Sequence, residues 1–140
     1  MMTAYTLEQF PLKTYDKLRY ADTDRQGHVN NAVFSTFLET GRVELLYNPA
    51  PPLLTEGNSF VIASLKLDFI KEIKWPGQVD IGTGILKTGN SSITIYQKLF
   101  QNGQAVAAAE TVIVQVDSVS GRSAPLSAAA RQTLEGYQVQ

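Results

Sequence analysis

The chain has 140 residues, a formal net charge of −1, 44% apolar and 18% charged residues, one histidine and no cysteine. Such totals describe one globular domain, residues 1–140, able to bury a real core. They exclude disulfides, thiolate metal sites and a cysteine nucleophile, argue against nonspecific nucleic-acid binding, which needs a basic patch, and make a self-contained zinc site a poor fit to a single histidine.

The start, MMTAYTLEQF, has neither the basic beginning nor the long apolar stretch of a signal peptide. No apolar run approaches the ~20 residues needed to cross a bilayer, so the expectation is a cytoplasmic protein with no membrane partner. Residues 1–13 are weakly patterned, and Pro11 disfavours a helix there. Thr14–Tyr20 reads as a short strand, followed by the turn-prone Ala21–Gly27. Between Asp22 and Gly27, four of six residues are Asp, Thr or Gly, which favours a loop through side-chain hydrogen bonds and positive φ.

A helix is expected from Asn30 or Asn31, since an Asn side-chain oxygen accepts from an otherwise orphan amide at a helix start. Val33, Phe34, Phe37, Leu38, Gly41, Leu45 and Leu46 recur at three- and four-residue steps and define its apolar face. Ser35, Glu39, Arg42 and Glu44 fall largely on the other. Gly41 costs the helix roughly 1 kcal/mol against Ala, which a close approach by a strand or helix would offset. Asn48-Pro49 and Pro51-Pro52 end it.

Phe60–Ile70 alternates as a half-buried strand does: Val61, Ala63, Leu65, Leu67 and Phe69 on one face, Ser64, Lys66 and Asp68 on the other. Pro76-Gly77 marks a turn. Val79–Thr88, Ser92–Gln101 and Gln104–Asp117 read as an antiparallel meander, with Asn102-Gly103 the strongest hairpin signal because both positions tolerate positive φ. Glu110 shares a strand face with Val106, Ala108, Val112 and Val114, where an unpaired charge is costly, so it is expected to pair with a cation, lie at an edge or be turned out by a bulge. Ser127–Gly136 reads as a short surface helix capped by Ser127. One helix cannot cover both faces of a five-stranded sheet, so the sheet must curl round it or bury its remaining face and edges against another copy. A homo-oligomer is expected.

The ten residues 22–31, Asp-Thr-Asp-Arg-Gln-Gly-His-Val-Asn-Asn, resemble the signature of hotdog-fold acyl-CoA thioesterases of the 4-hydroxybenzoyl-CoA type. They are most similar to the bacterial branch whose helix opens with His-Val-Asn-Asn. Phe37-Leu38-Glu39, Arg42, Trp75-Pro76-Gly77 and the long strand ending at Asp117 extend the likeness over roughly residues 14–136. The resemblance implies an α+β hotdog fold, a five-stranded antiparallel sheet wrapped around a long central helix. It also implies a homodimer, often a homotetramer, with active sites at the subunit interface.

The same resemblance implies that Asp24 is the catalytic carboxylate. Thioester hydrolysis needs a group that attacks the carbonyl or deprotonates water, and a carboxylate does either; the competing role is turn capping. Asn31 enters through its backbone N–H, which in the resembling enzymes points at the thioester oxygen. Helix N-termini offer unpaired amides and a positive dipole end, which is what an oxyanion hole requires. His28 could orient Asp24 or touch the thioester, although benzoyl-type enzymes carry an apolar residue there, and a purely structural histidine is the alternative. Gly27 supplies a tight turn and room for substrate, and Asn30 the helix cap. Phe34, with Phe37 and Tyr47, lines an acyl pocket if it faces the interface, and core if not. Asp22 has no role beyond the turn. Glu39 and Arg42 could form an i,i+3 pair, or Glu39 could project into a partner's site. Lys66, Lys71, Lys74, Arg25 and Arg122 are candidate cations for coenzyme phosphates, each also a plain solvated charge.

The expected activity is hydrolysis of an acyl-CoA or related thioester, with no metal or redox cofactor. The rivals are a hotdog dehydratase or hydratase and a noncatalytic thioester-binding module. Acyl length, and coenzyme A against carrier protein, are not encoded legibly.

Overall fold

The computed structural model describes residues 5–139. A short 3₁₀ turn, Leu7–Gln9, leads into β1 (Leu12–Lys17). A second, Tyr20–Asp22, precedes α1 (Asn31–Tyr47), after which come β2 (Asn58–Phe69), β3 (Gln78–Thr88), β4 (Ser92–Gln101), β5 (Gln104–Asp117) and α2 (Ala128–Glu135). The five strands form one antiparallel sheet in the order β1-β3-β4-β5-β2. The expected α+β hotdog architecture is thus observed, with β3, β4 and β5 as the meander. The Asn102-Gly103 hairpin takes the expected positive φ values, 53° and 79°.

Burial fixes where α1 lies. Phe34, Phe37 and Leu38 pack on Val79, Ile81, Leu99, Val106, Ala107 and Ala109, while Leu45 and Leu46 pack on Ile85, Ile93, Ile95 and Ile113. Gly41 sits where helix and sheet come closest: a Cβ there would lie 2.6 Å from Thr83 Oγ1 and 2.7 Å from Gln97 Nε2. The Gln97 side-chain amide donates to Leu38 O at 2.9 Å and to Thr83 Oγ1 at 3.0 Å. A buried polar strut therefore ties the middle of α1 to β3 and β4, and the helix glycine makes room for it. α2 is less superficial than expected, because Ala130 and Leu134 are buried in the same core as Leu45. Its cap is as expected, Ser127 Oγ accepting from Ala130 N–H at 3.0 Å.

Several side chains differ from the sequence pattern. Arg42, expected on the solvent face of α1, is only 6% exposed, and its Nη1 has no acceptor among the described residues. Burial pulls its guanidinium below the ordinary arginine pKa, while the charge of Glu39 acts the other way. Glu39 itself is exposed, and no ion pair between the two is found among the described residues.

In β2 the register runs Val61 to Val114 and Ile62 to Ile113, then slips so that Ser64 faces Val112. Paired residues share a face of the sheet, so this bulge moves Ile62 to the α1 side with Leu65, Leu67 and Phe69, and Val61 to the outer face with Ser64, Lys66 and Asp68. Because β2 is the sheet edge beside β5, the expected half-burial is not reached: Ile62 is 52%, Leu65 40% and Phe69 51% exposed.

Glu110 stands on the outer face of an inner strand, beside Lys66 and Tyr96 in the register, and remains exposed. No bulge is involved. That face is incompletely covered, so the carboxylate keeps its solvent. Burial raises the Tyr96 phenol pKa, and the Glu110 charge adds to the rise.

Candidate functional site

The loop before α1 is fastened chiefly by main-chain bonds. Leu18 N–H donates to Gly77 O at 2.9 Å, Asn30 N–H to Asp22 O at 2.8 Å, Val29 N–H to Ile73 O at 2.8 Å and Asp24 N–H to His28 O at 2.7 Å. Thr23 pairs with Val29, and His28 with Lys74, as isolated antiparallel bridges. Gly27 lets the chain reverse between Asp24 and His28 with φ at +79°, a conformation rare for residues with a Cβ. Asp22, given only a turn role by the sequence, is buried: its carboxylate accepts from Arg19 N–H and from Arg19 Nη2, both at 3.0 Å. That hydrogen bond and charge raise the Arg19 pKa.

Asp24 points its carboxylate along the same loop. Oδ1 accepts from Gln26 N–H at 2.8 Å and His28 N–H at 3.2 Å, while Oδ2 has no hydrogen bond among the described residues. Turn capping and an available carboxylate oxygen thus coexist in one side chain. Asn30 caps α1, Oδ1 accepting from Ala32 N–H at 3.0 Å, and Asn30 O accepts from Val33 N–H at 2.9 Å. Of the first three helix amides, that of Asn31 alone has no acceptor among the described residues, at the positive end of the dipole.

Asp24, His28, Val29, Asn31, Phe34, Phe69, Ile70, Lys71 and Glu72 line one open cleft of about 270 Å³. The structure therefore brings together Asp24, His28, Asn31 and Phe34. Gly27 and Asn30 do not line the cleft but shape the loop and helix end that do. Phe34 stands edge-on to Phe69, ring centroids 5.0 Å apart. Phe37 is fully buried in the core and Tyr47 lies against Phe60, so neither reaches the cleft. The His28 imidazole is turned towards Glu72, Nε2 to Oε2 at 3.2 Å; it is the backbone N–H of His28, not its ring, that holds Asp24.

Phe69, Ile70 and Glu72 carry no sequence signal as cleft residues, and Lys71 is marked there only as a candidate phosphate cation. They end and follow an ordinary strand, and nothing in their spacing says that the strand end folds back over the start of α1. Among the described residues no group of three or more His, Cys, Asp or Glu side chains is placed to hold a metal ion, and no helix is long and apolar enough to cross a membrane.

The cap gives the first test. Asn30→Ala removes the acceptor for Ala32 N–H and is expected to lower the unfolding free energy by about 1 kcal/mol, read as a shift in urea midpoint at unchanged slope.

The Thioesterase-like superfamily model matches residues 18–134 of the chain. Among solved structures, a thioesterase from Thermus thermophilus complexed with coenzyme A and Zn is 32% identical, with a TM-score of 0.83 over 95% of this chain and 98% of that one. A predicted thioesterase from Bacillus stearothermophilus is 30% identical, with a TM-score of 0.83 over 91% of this chain and 96% of that one. No protein of curated description matches.

Proposed function

From membership of the thioesterase-like superfamily, to which this chain belongs as a thioester hydrolase, we propose that it cleaves acyl-CoA thioesters to free acid and thiol, working as a single domain over 1–140. The observation that carries this reading is the shared cleft of the Asp24 carboxylate and the Asn31 amide. A thioester carbonyl placed with its oxygen on Asn31 N–H presents its carbon to the loop that carries Asp24. As base, Asp24 takes a proton from water, whose oxygen bonds to the carbonyl carbon. As nucleophile, it attacks the carbonyl carbon directly, and loss of the thiolate leaves an anhydride that water then hydrolyses. Either way negative charge grows on the carbonyl oxygen, where an orphan amide at a helix start strengthens most. The carbon–sulfur bond then breaks and the thiolate takes up a proton. His28, held by Glu72, shapes the wall beside Asp24, and Phe34 borders the acyl group.

Coenzyme A as thiol carrier is supported by its presence in the Thermus thermophilus relative. Thiol release from short, medium, long and aromatic acyl-CoAs tests the activity. Hydration of enoyl-CoA without thiol release would instead favour the dehydratase or hydratase reading. Multiple turnovers in heavy-oxygen water separate the two roles of Asp24: label in its carboxylate marks the nucleophile.

The proposal includes a homodimer or homotetramer. The exposed apolar row on the edge strand β2, Ile62, Leu65 and Phe69, has the chemistry of a surface that a second copy covers. Light scattering is expected to give at least twice the chain mass of 15.4 kDa, and Ile62→Asp to shift the protein towards single chains.

A further inference from the structure

The cleft walls are mixed: Asp24, His28, Lys71 and Glu72 are polar, whereas Val29, Phe34, Phe69 and Ile70 are apolar. An acyl chain whose carbonyl rests on Asn31 N–H gains from burial only against the apolar set. The distance it can run there is short. Phe34 follows Asn31 by three residues on α1, about 4.5 Å along the helix axis. Its side chain is buried, and its ring stands edge-on to the half-exposed Phe69. In the next turn Phe37 and Leu38 are fully buried, and Gln97 holds Leu38 O at 2.9 Å. Val29 donates its N–H to Ile73 O at 2.8 Å, and the Ile73 side chain is fully buried as well. Packed core therefore backs the apolar walls, where a long chain would need a groove continuing between helix and sheet.

The volume points the same way. About 270 Å³ holds roughly nine groups the size of a water molecule, at ~30 Å³ each. The thioester carbon, oxygen and sulfur with an attacking water fill about four of those places, leaving about five for carbons beyond the carbonyl. We infer that the site is built for short acyl groups, of about six carbons or fewer, and that the Phe34 ring is the stop that sets this limit. The inference deepens the thioesterase reading and rests on it, because the carbonyl at Asn31 is the point from which the chain is measured.

Thioethers have no carbonyl to hydrolyse, so their binding tests chain length separately from turnover. S-ethyl, S-butyl, S-hexyl, S-octyl and S-decyl coenzyme A are titrated by calorimetry into the wild type, Phe34→Leu and Phe34→Ala. Wild-type affinity is expected to rise about fourfold per methylene as far as the hexyl compound and then to level off. Shortening the stop should carry the rise further: S-octyl coenzyme A is expected to bind about fourfold more tightly to Phe34→Leu than to wild type, and about tenfold more tightly to Phe34→Ala. Phe34 is a core residue, so circular dichroism checks each variant; if Phe34→Ala does not fold, Phe34→Leu and the wild-type series decide. A wild-type rise that continues through the decyl compound, no dependence on length between ethyl and hexyl, or a plateau unmoved in the folded variants overturns the inference. Levelling at hexyl in a protein that releases no thiol from any acyl-CoA overturns the hydrolase reading and keeps the length limit. Thiol release that favours decanoyl-CoA over butanoyl-CoA overturns the limit and keeps the hydrolase.

Discussion

Asp24→Asn is expected to lower kcat/KM for thioester hydrolysis by roughly 10²–10⁴-fold, the range for loss of a positioned base, with little change in thermal stability. The separation of the two effects follows from the geometry. Asparagine keeps an Oδ1 acceptor for the amides of Gln26 and His28, so the turn survives, and the adjoining main-chain bonds of Asp22, Asp24 and Val29 do not involve the side chain at all. What disappears is the carboxylate's capacity to take a proton or attack carbon. Weakening one exposed turn bond amounts to about 0.5–1.5 kcal/mol, whereas the expected rate loss corresponds to about 3–5 kcal/mol of barrier. A thiol-release assay of wild type and variant beside a thermal melt distinguishes them. Near-wild-type turnover in Asp24→Asn would leave the residue a turn cap and nothing more.

Gly41→Ala should destabilise the fold by about 2–4 kcal/mol, and Gly41→Val by more, against the helix preference that would make Ala better by roughly 1 kcal/mol. The added Cβ would meet Thr83 Oγ1 at 2.6 Å, Gln97 Nε2 at 2.7 Å and Ile81 Cγ2 at 2.8 Å, all in a core with no exposed side to yield. Relief requires Gln97 to withdraw from Leu38 O or the helix to lift, and either strands buried polar groups. Gln97 Oε1 and Thr111 Oγ1 have no partner among the described residues even before the change, so little spare hydrogen bonding exists there to absorb it. Denaturant unfolding at fixed protein concentration gives the number, and a stabilised Gly41→Ala would show that the helix can shift freely on its sheet.

The elements of this fold were legible because their periods differ cleanly. The three- and four-residue recurrence in α1, the short links between β3, β4 and β5, and the Asn102-Gly103 turn are local signals, and local geometry obeyed them. Three failures were non-local. The bulge between Ile62 and Ser64 is set by pairing with β5, which no single-strand pattern reveals. Arg42 is buried on a flank of α1 that the helix period alone assigns to solvent. Glu72 enters the cleft because the segment after β2 returns to His28. The site divides in the same way: Asp24, His28, Asn31 and Phe34 come from one continuous stretch and could be read from it, whereas the opposite wall, Phe69–Glu72, belongs to a strand end whose destination depends on the whole sheet.

The loop before α1 is stitched to its surroundings backbone to backbone, at Leu18–Gly77, Val29–Ile73 and Asn30–Asp22. Amide and carbonyl groups are common to every residue type, proline's missing N–H aside, so the frame is indifferent to most of the side chains it carries. Side chains of cleft walls such as Ile70, Lys71 and Glu72 can therefore be exchanged while the main-chain frame that holds the Asp24 loop stays as it is.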